Sequence, residues 1–96
     1  MTEREIQTTG VQMLRKMGCQ VYVTSQRRAS SVTKGVPDVI VFTRTEVFFW
    51  EAKAPKGRVT PEQQAFADAC RRTHTGYVCG GLDAVTHYVL NVAQAA

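Results

Sequence analysis

Two short apolar segments in the middle of the sequence, residues 36–42 and 47–50, carry charged residues within them or directly after them. Both segments are of strand length and rich in β-branched and aromatic residues, and a short polar break separates them, so the pair predicts a β-hairpin. The charged residues are Asp38, Glu51 and Lys53. Charged side chains are costly beside a core unless they are paired or bind a metal. The hairpin therefore predicts a site where a metal ion and a phosphate meet.

The alternation of side chains along a strand decides how these groups are arranged. Glu51 and Lys53 are two residues apart and so point to the same face of their strand. If Asp38 lies on the neighbouring strand, two carboxylates and one ammonium converge. A purely structural alternative is an ion-paired cluster in which Lys53 bridges the two acids. Apolar residues would usually stabilise a hairpin as well or better, which favours the catalytic interpretation.

The same residues resemble a known nuclease signature. Pro37-Asp38, followed after 12 residues by Glu51-Ala52-Lys53, is similar to the PD-(D/E)XK pattern of restriction-endonuclease-like nucleases. The flanking segments 35–38 and 57–63 resemble the VRR-NUC branch of that superfamily, and the resemblance extends from about Glu3 to the C-terminal helix. Small stand-alone proteins of this branch are often of viral or phage origin, which the resemblance also implies here.

The resemblance implies an active site and a cofactor. It assigns catalytic roles to Asp38, Glu51, Lys53 and Gln63. It implies an Mg²⁺ or Mn²⁺ ion, and hard oxygen ligands of the Asp and Glu type suit both ions. The implied metal ligands are Glu3, Asp38, Glu51 and the backbone carbonyl of Ala52.

The remaining sequence predicts one α/β domain over residues 1–96, with a small mixed sheet flanked by helices in a restriction-endonuclease-like core. The predicted order is αβββαβα, with helices at 2–17, 60–74 and 82–92 and strands at 20–24, 36–42, 47–50 and 77–79. Gly76 is expected to end the second helix. The last helix has an apolar stripe that includes Val92. Phe48 and Trp50 point away from Glu51 and are expected to pack under a helix, although Trp50 also suits a dimer contact.

Two candidate site residues have structural alternatives. Glu3 lies one turn before Ile6 on the apolar stripe of the first helix and is expected to face inward, but it is also a favourable charge at a helix N-terminus. Glu5 is explained by a capping box with Thr2. Gln63 is either the reciprocal half of a capping box at the second helix or a residue directed at the site, and the two roles are compatible.

A basic excess accompanies the predicted site. The net charge is +4 and the isoelectric point is about 9.3, which is compatible with a nucleic-acid partner. The residues expected to contact phosphates are Arg27, Arg28, Lys34, Lys56 and Arg58. The three cysteines, an odd number without ligand-like spacing, are expected to be buried, reduced thiols, and no zinc site is expected.

Three functional hypotheses follow. The first is a metal-dependent DNA endonuclease that acts as a homodimer on Holliday junctions or other branched DNA. The second is a non-catalytic, basic DNA-binding or assembly module on the same fold. The third is an RNA-directed nuclease, since no segment reads a base edge or a 2′-hydroxyl. The absence of an apolar stretch long enough to cross a bilayer predicts no membrane partner, and we expect a cytoplasmic location, in a bacterium or a phage-infected host cell.

Overall fold

The computed structural model describes residues 1–24 and 33–93. In this part of the chain the element order is αβββαβα, as predicted, around a small mixed sheet. Arg27 and Arg28 lie outside the described residues. The helices are α1 (Glu3–Lys16), α2 (Pro61–Arg72) and α3 (Leu82–Asn91), and the strands are β1 (Gln20–Val23), β2 (Val39–Phe42), β3 (Val47–Ala52) and β4 (Gly76–Gly80).

The sheet has the strand order β1-β2-β3-β4. The first three strands are antiparallel, and β2 and β3 form the predicted hairpin, whereas β4 pairs in parallel with β3. Strand β2 begins later than expected, at Val39. The reason is Pro37, which has no N–H to donate to a neighbouring strand. Strand β3 continues to Ala52, two residues further than expected, and therefore includes Glu51.

The helix ends follow local signals in most places. Thr2 with Glu5 and Thr60 with Gln63 form the two predicted capping boxes. The prediction that Gly76 ends the second helix is wrong. Helix α2 ends at Arg72, and His74 takes the left-handed conformation, with φ of 56°, that usually falls to glycine.

One face of the sheet, which we call the core face, is covered by α1 and α3. Its side chains Val39, Val41, Phe48 and Trp50 have no exposed surface. The Trp50 ring lies directly over Gly10 of α1, where an added Cβ would come within 2.2 Å of the ring. Phe48 and Trp50 are therefore core residues, and the Trp50 ring is not available for a dimer contact.

The inward stripe of α3 is shorter than predicted. Val85 and Val89 are buried against the core face, but Val92 is 54% exposed. The helix ends at Asn91, with Val92 as its C-cap, and the next residue, Ala93, is the buried one. A residue outside the helix no longer follows its 3.6-residue periodicity, so Val92 does not continue the stripe.

The opposite face of the sheet, the site face, is covered in part by α2. Phe66 of α2 packs edge-on against Phe49 at a centroid distance of 5.1 Å and also contacts Tyr77. These contacts place α2 over β3 and β4. The exposed residues Tyr22 and Phe42 are on the β1–β2 part of the same face.

Candidate active site

A row of polar residues crosses the site face at one end of the sheet. The pairing of Val39 with Trp50 places Asp38 next to Glu51 in the following position of the hairpin. Glu51 in turn pairs with Cys79 of β4, and the N–H of Thr24 donates to the carbonyl of Asp38 at 2.8 Å. We call Thr24, Asp38, Glu51 and Cys79 the polar row.

The structure therefore places the two candidate carboxylates side by side on one face, Glu51 in β3 and Asp38 directly before β2. Residues directly opposite each other on antiparallel strands have Cβ atoms about 4.5–5.5 Å apart. Glu51 is almost completely buried, with 3% of its surface exposed, whereas Asp38 is partly exposed. The two acids thus differ in exposure, with Glu51 in the interior and Asp38 reaching the surface.

Gln63 performs both of the roles that the sequence suggested. Its side-chain oxygen accepts from the N–H of Thr60 at 3.0 Å, which completes the capping box of α2. Its side-chain nitrogen donates to Oε2 of Glu51 at 3.2 Å. The geometry of the helix N-terminus therefore orients Gln63 toward the acid, and Gln63 fixes one oxygen of that acid.

Lys53 directly follows β3 on the side of Glu51. Its backbone N–H donates to the carbonyl of Gly80 at 3.0 Å and continues the β3–β4 pairing, so the alternation of side chains extends to it. The ammonium Nζ donates to the backbone carbonyl of Arg58 at 2.8 Å. The turn after β3 thus holds the ammonium at one of its hydrogen-bond donors.

The apolar stripe of α1 predicted that Glu3 faces the core. This prediction is wrong, because Glu3 is exposed. Its Oε2 lies 2.7 Å from the position that a Cβ on Gly57 would occupy, and the Lys53 side chain passes the same point at 3.2 Å. A larger residue at Gly57 would displace these groups. The N-terminus of α1 therefore brings Glu3 beside the turn that holds Lys53.

Cys79 is a member of the polar row that sequence reasoning missed, and the expectation that it is buried is wrong. Its side chain is exposed, whereas Cys19 and Cys70 are buried as predicted. Partial desolvation, then the negative charge of Glu51, raises the pKa of the Cys79 thiol, while Lys53 opposes the shift. No local pattern reveals this position, because it depends on the parallel pairing of β4 with a strand far away in sequence.

The basic candidates among the described residues are at the surface. Lys34, Lys56 and Arg58 are exposed. Lys34 precedes Gly35, which has φ of 93° and lies so close to α2 that an added Cβ would be 2.5 Å from the carbonyl oxygen of Glu62. This contact brings the segment before Asp38 against the start of α2, on the same side as Gln63.

The donor set of the polar row suits a hard divalent cation in part. Asp38 and Glu51 supply two carboxylates on one face, the ligand type that Mg²⁺ and Mn²⁺ prefer. Within residues 1–24 and 33–93, no three side chains of the His, Cys, Asp and Glu types are grouped closely enough to hold a metal ion. Two carboxylates are therefore the side-chain ligands on offer, with the carbonyl of Ala52 and water to complete the set. Glu3 as a further ligand stays a prediction.

The fold and the polar row define a small α/β domain with two acids at one end of a mixed sheet and Lys53 beside them. The sequence profile of the VRR-NUC domain matches residues 5–89, and the chain belongs to this family. A solved structure described as a VRR_NUC domain superposes with a TM-score of 0.73 at 19% identity, covering 96% of this chain and 99% of the other. That likeness confirms the predicted fold.

Two searches, one for curated relatives and one for membrane-spanning helices among the described residues, gave no match. No curated protein matches the sequence significantly. In the described part of the chain, no helix is long and apolar enough to cross a membrane.

Proposed function

We propose that the protein is a metal-dependent DNA endonuclease whose active centre is the polar row with Lys53. The observation that carries the proposal is the pairing register, which sets Asp38 beside the buried Glu51 on one face of the sheet. Membership in a nuclease-type family supports phosphodiester hydrolysis as the reaction and DNA as the substrate.

Hydrolysis of a phosphodiester requires a water molecule to attack an anionic phosphorus atom in line with the leaving oxygen. The barrier falls when positive charge meets the charge that develops on the phosphate oxygens. A divalent cation held by Asp38, Glu51 and the carbonyl of Ala52 would supply that charge and would lower the pKa of a bound water. The chain itself supplies the carboxylates, their orientation and one ammonium.

Each protein group has a separate task in this proposal. Gln63 holds one oxygen of Glu51 in place, so the other oxygen keeps a fixed direction. Lys53 offsets negative charge on the reacting phosphate and positions the attacking water. Because its Nζ already donates to the Arg58 carbonyl, contact with a phosphate either adds to that hydrogen bond or replaces it.

Recognition of the substrate is proposed to depend on shape and backbone charge. The cations Lys34, Lys56 and Arg58 are exposed and suit contacts to phosphates, which position a nucleic acid without reading its sequence. A homodimer would present two such sites to opposite strands, and a two-fold protein suits Holliday junctions and other branched DNA.

The proposal is tested by cleavage assays on branched, flap, duplex and single-stranded DNA, and on RNA, with Mg²⁺, Mn²⁺ or EDTA. We expect metal-dependent cleavage by the wild type. We expect Asp38→Asn and Lys53→Ala to abolish cleavage while DNA binding persists. Asp68→Asn is the matched control, since Asp68 is an exposed acid on α2 whose partner is Arg71, and it should cleave at the wild-type rate.

Two outcomes would contradict the proposal. Cleavage by Asp38→Asn at the wild-type rate would show that the active centre is elsewhere. Salt-dependent DNA binding without a metal-dependent product under any condition would instead favour the non-catalytic binding module.

A further inference from the structure

Two exposed aromatic side chains, Tyr22 and Phe42, share the site face with the polar row. Tyr22 is 48% exposed and Phe42 is 42% exposed. The pairing of Tyr22 with Ile40, and of Gln20 with Phe42, puts both rings on the same face as Asp38. We call Tyr22 and Phe42 the aromatic pair. It is continuous with the polar row.

Although exposed, the aromatic pair is held in a fixed arrangement. The two rings are 5.8 Å apart and nearly perpendicular, at 85°, the edge-to-face geometry that aromatic pairs prefer. The side-chain nitrogen of Gln20 donates to the Tyr22 hydroxyl. A ring fixed at both its edge and its hydroxyl loses little further entropy when a ligand contacts it.

The size of the surface decides between a protein partner and a small flat ligand. Aromatic side chains have about 150–250 Å² of surface each, so two rings that are 48% and 42% exposed present about 200 Å² together. A stable protein interface needs about 800 Å² from each partner. Val47, which pairs with Phe42 on the same face and is 36% exposed, enlarges this apolar surface only a little. The surface is therefore too small for a protein interface by itself and matches a ligand with one or two flat rings.

We infer that the aromatic pair is a stacking platform for unpaired bases of the nucleic acid, next to the point of cleavage. This inference rests on the proposed nuclease function and narrows its branched substrates to DNA with a single-stranded segment at the site, rather than fully paired Holliday junctions. Bases stack on exposed aromatic rings with little dependence on sequence. A base inside an intact duplex is covered on both faces, so only an unpaired base presents a free face to such a ring.

The distances along the sheet agree with this placement. Tyr22 is two residues before Thr24, whose backbone pairs with Asp38. Diagonal neighbours of this kind on antiparallel strands are about 7–8 Å apart. One strand of stacked DNA advances about 3.4 Å per nucleotide, so Tyr22 meets a base about two steps from the phosphate at the polar row. The exposed Arg44, in the turn after Phe42, adds a cation for the phosphates beyond.

The experiment uses the inactive Asp38→Asn protein and DNA with 2-aminopurine in a single-stranded arm beside the junction, compared with a blunt duplex. We expect the arm to lose fluorescence on binding because the base stacks. Adding Tyr22→Ala should restore the fluorescence and weaken binding of the armed DNA about tenfold, while binding of the blunt duplex is unchanged. Tyr22→Phe keeps the ring and should behave as the parent does.

Leu90→Ala is the matched control, because Leu90 is a 61% exposed apolar residue on α3, which packs on the core face. It should change neither signal. If Tyr22→Ala does not fold, Phe42→Leu is the second variant. It should restore less of the fluorescence and weaken binding of the armed DNA less than Tyr22→Ala would. The inference is overturned if Tyr22→Ala and Phe42→Leu bind armed DNA as the parent does, or weaken the binding of both DNAs equally, or turn a dimeric protein into a monomer. These binding measurements use the Asp38→Asn background and do not depend on cleavage. Failure of the nuclease proposal therefore appears separately, in the cleavage assays.

Discussion

The two faces of one sheet have different tasks, and the same two strands supply both. On the core face, Val39 and Trp50 are completely buried beneath α1 and α3. On the site face lie Asp38, directly before Val39, and Glu51, directly after Trp50. Alternation along β2 and β3 thus places the most apolar and the most polar pairs of the hairpin back to back.

The domain can bury the acid Glu51 because its two faces divide the tasks of stability and polar contact. The core face carries most of the apolar burial, in one continuous cluster. On the site face, helix α2 lies over β3 and β4 and provides the donor that satisfies one oxygen of Glu51. A polar group buried without a partner is costly, so the position of α2 is as important for Glu51 as the strand that carries it.

The largest expected effects are a loss of stability from a change on the core face and a loss of cleavage from a change on the site face. Trp50→Ala removes the ring that packs over Gly10 and the hydrogen bond from Nε1 to the Gly80 carbonyl, 3.0 Å. We expect the free energy of unfolding to fall by about 3–5 kcal/mol. Glu51→Gln keeps the volume of the side chain and should reduce cleavage by at least about 100-fold while the protein stays folded.

Chemical denaturation and cleavage rates, measured on both variants, check this separation. If Trp50→Ala unfolds at the wild-type denaturant concentration, the core face does not carry the stability of the domain. If Glu51→Gln cleaves normally, the buried acid is structural.

A second effect, of intermediate size, concerns the contact between α2 and the site. Gln63→Ala removes the side-chain acceptor for the Thr60 N–H and the donor to Glu51. Thr60→Ala removes only the side-chain acceptor for the Gln63 N–H. Both variants should lose about 1 kcal/mol of stability. Only Gln63→Ala should also lose cleavage, about 10- to 100-fold, as is typical when the support of a metal ligand is removed. Equal cleavage by the two variants would show that Gln63 acts only as a cap.

The smallest effect is a dependence of stability on alkaline pH. Tyr88 of α3 packs against Phe48 and donates to Oε1 of Glu46 at 2.9 Å. Desolvation, then this hydrogen bond, raises the pKa of Tyr88 to about 12. The unfolded chain loses the phenolic proton near pH 10 and the folded chain does so later, so stability is fully present below pH 10 and falls as the pH rises toward 12.

The melting temperature between pH 9 and pH 12 measures this effect. Tyr88→Phe should give a shallower fall, because the hydroxyl that titrates is gone. The corresponding change on the site face is Tyr77→Phe, since desolvation raises the pKa of Tyr77 as well. A slope that neither variant changes would mean that other groups set the alkaline limit.

The sequence predicted most of the fold because local signals were strong. Thr2 with Glu5 and Thr60 with Gln63 marked the two helix starts, and the apolar hairpin marked β2 and β3. The end of α2 was placed wrongly because a histidine occupies the left-handed position that glycine usually takes. Such a choice depends on tertiary context, and no propensity reveals it.

The candidate site was predictable where it depends on one hairpin. Asp38 and Glu51 could be placed together because strand alternation and a short turn fix their register. The neighbourhood of Cys79 and the exposed position of Glu3 could not be predicted, since both depend on how β4 and α1 pack against distant parts of the chain. The hydrogen bond of Lys53 to the Arg58 carbonyl likewise depends on the conformation of a turn.

The most direct test of the account is metal binding to the polar row, measured on the protein alone. Isothermal titration of the wild type with Mn²⁺ should show a bound ion, and Asp38→Asn and Glu51→Gln should each weaken its binding at least about tenfold. Asp68→Asn should bind as the wild type does. Equal Mn²⁺ affinity in the wild type and in both polar-row variants would contradict the assignment of the two strands' acids to a metal site.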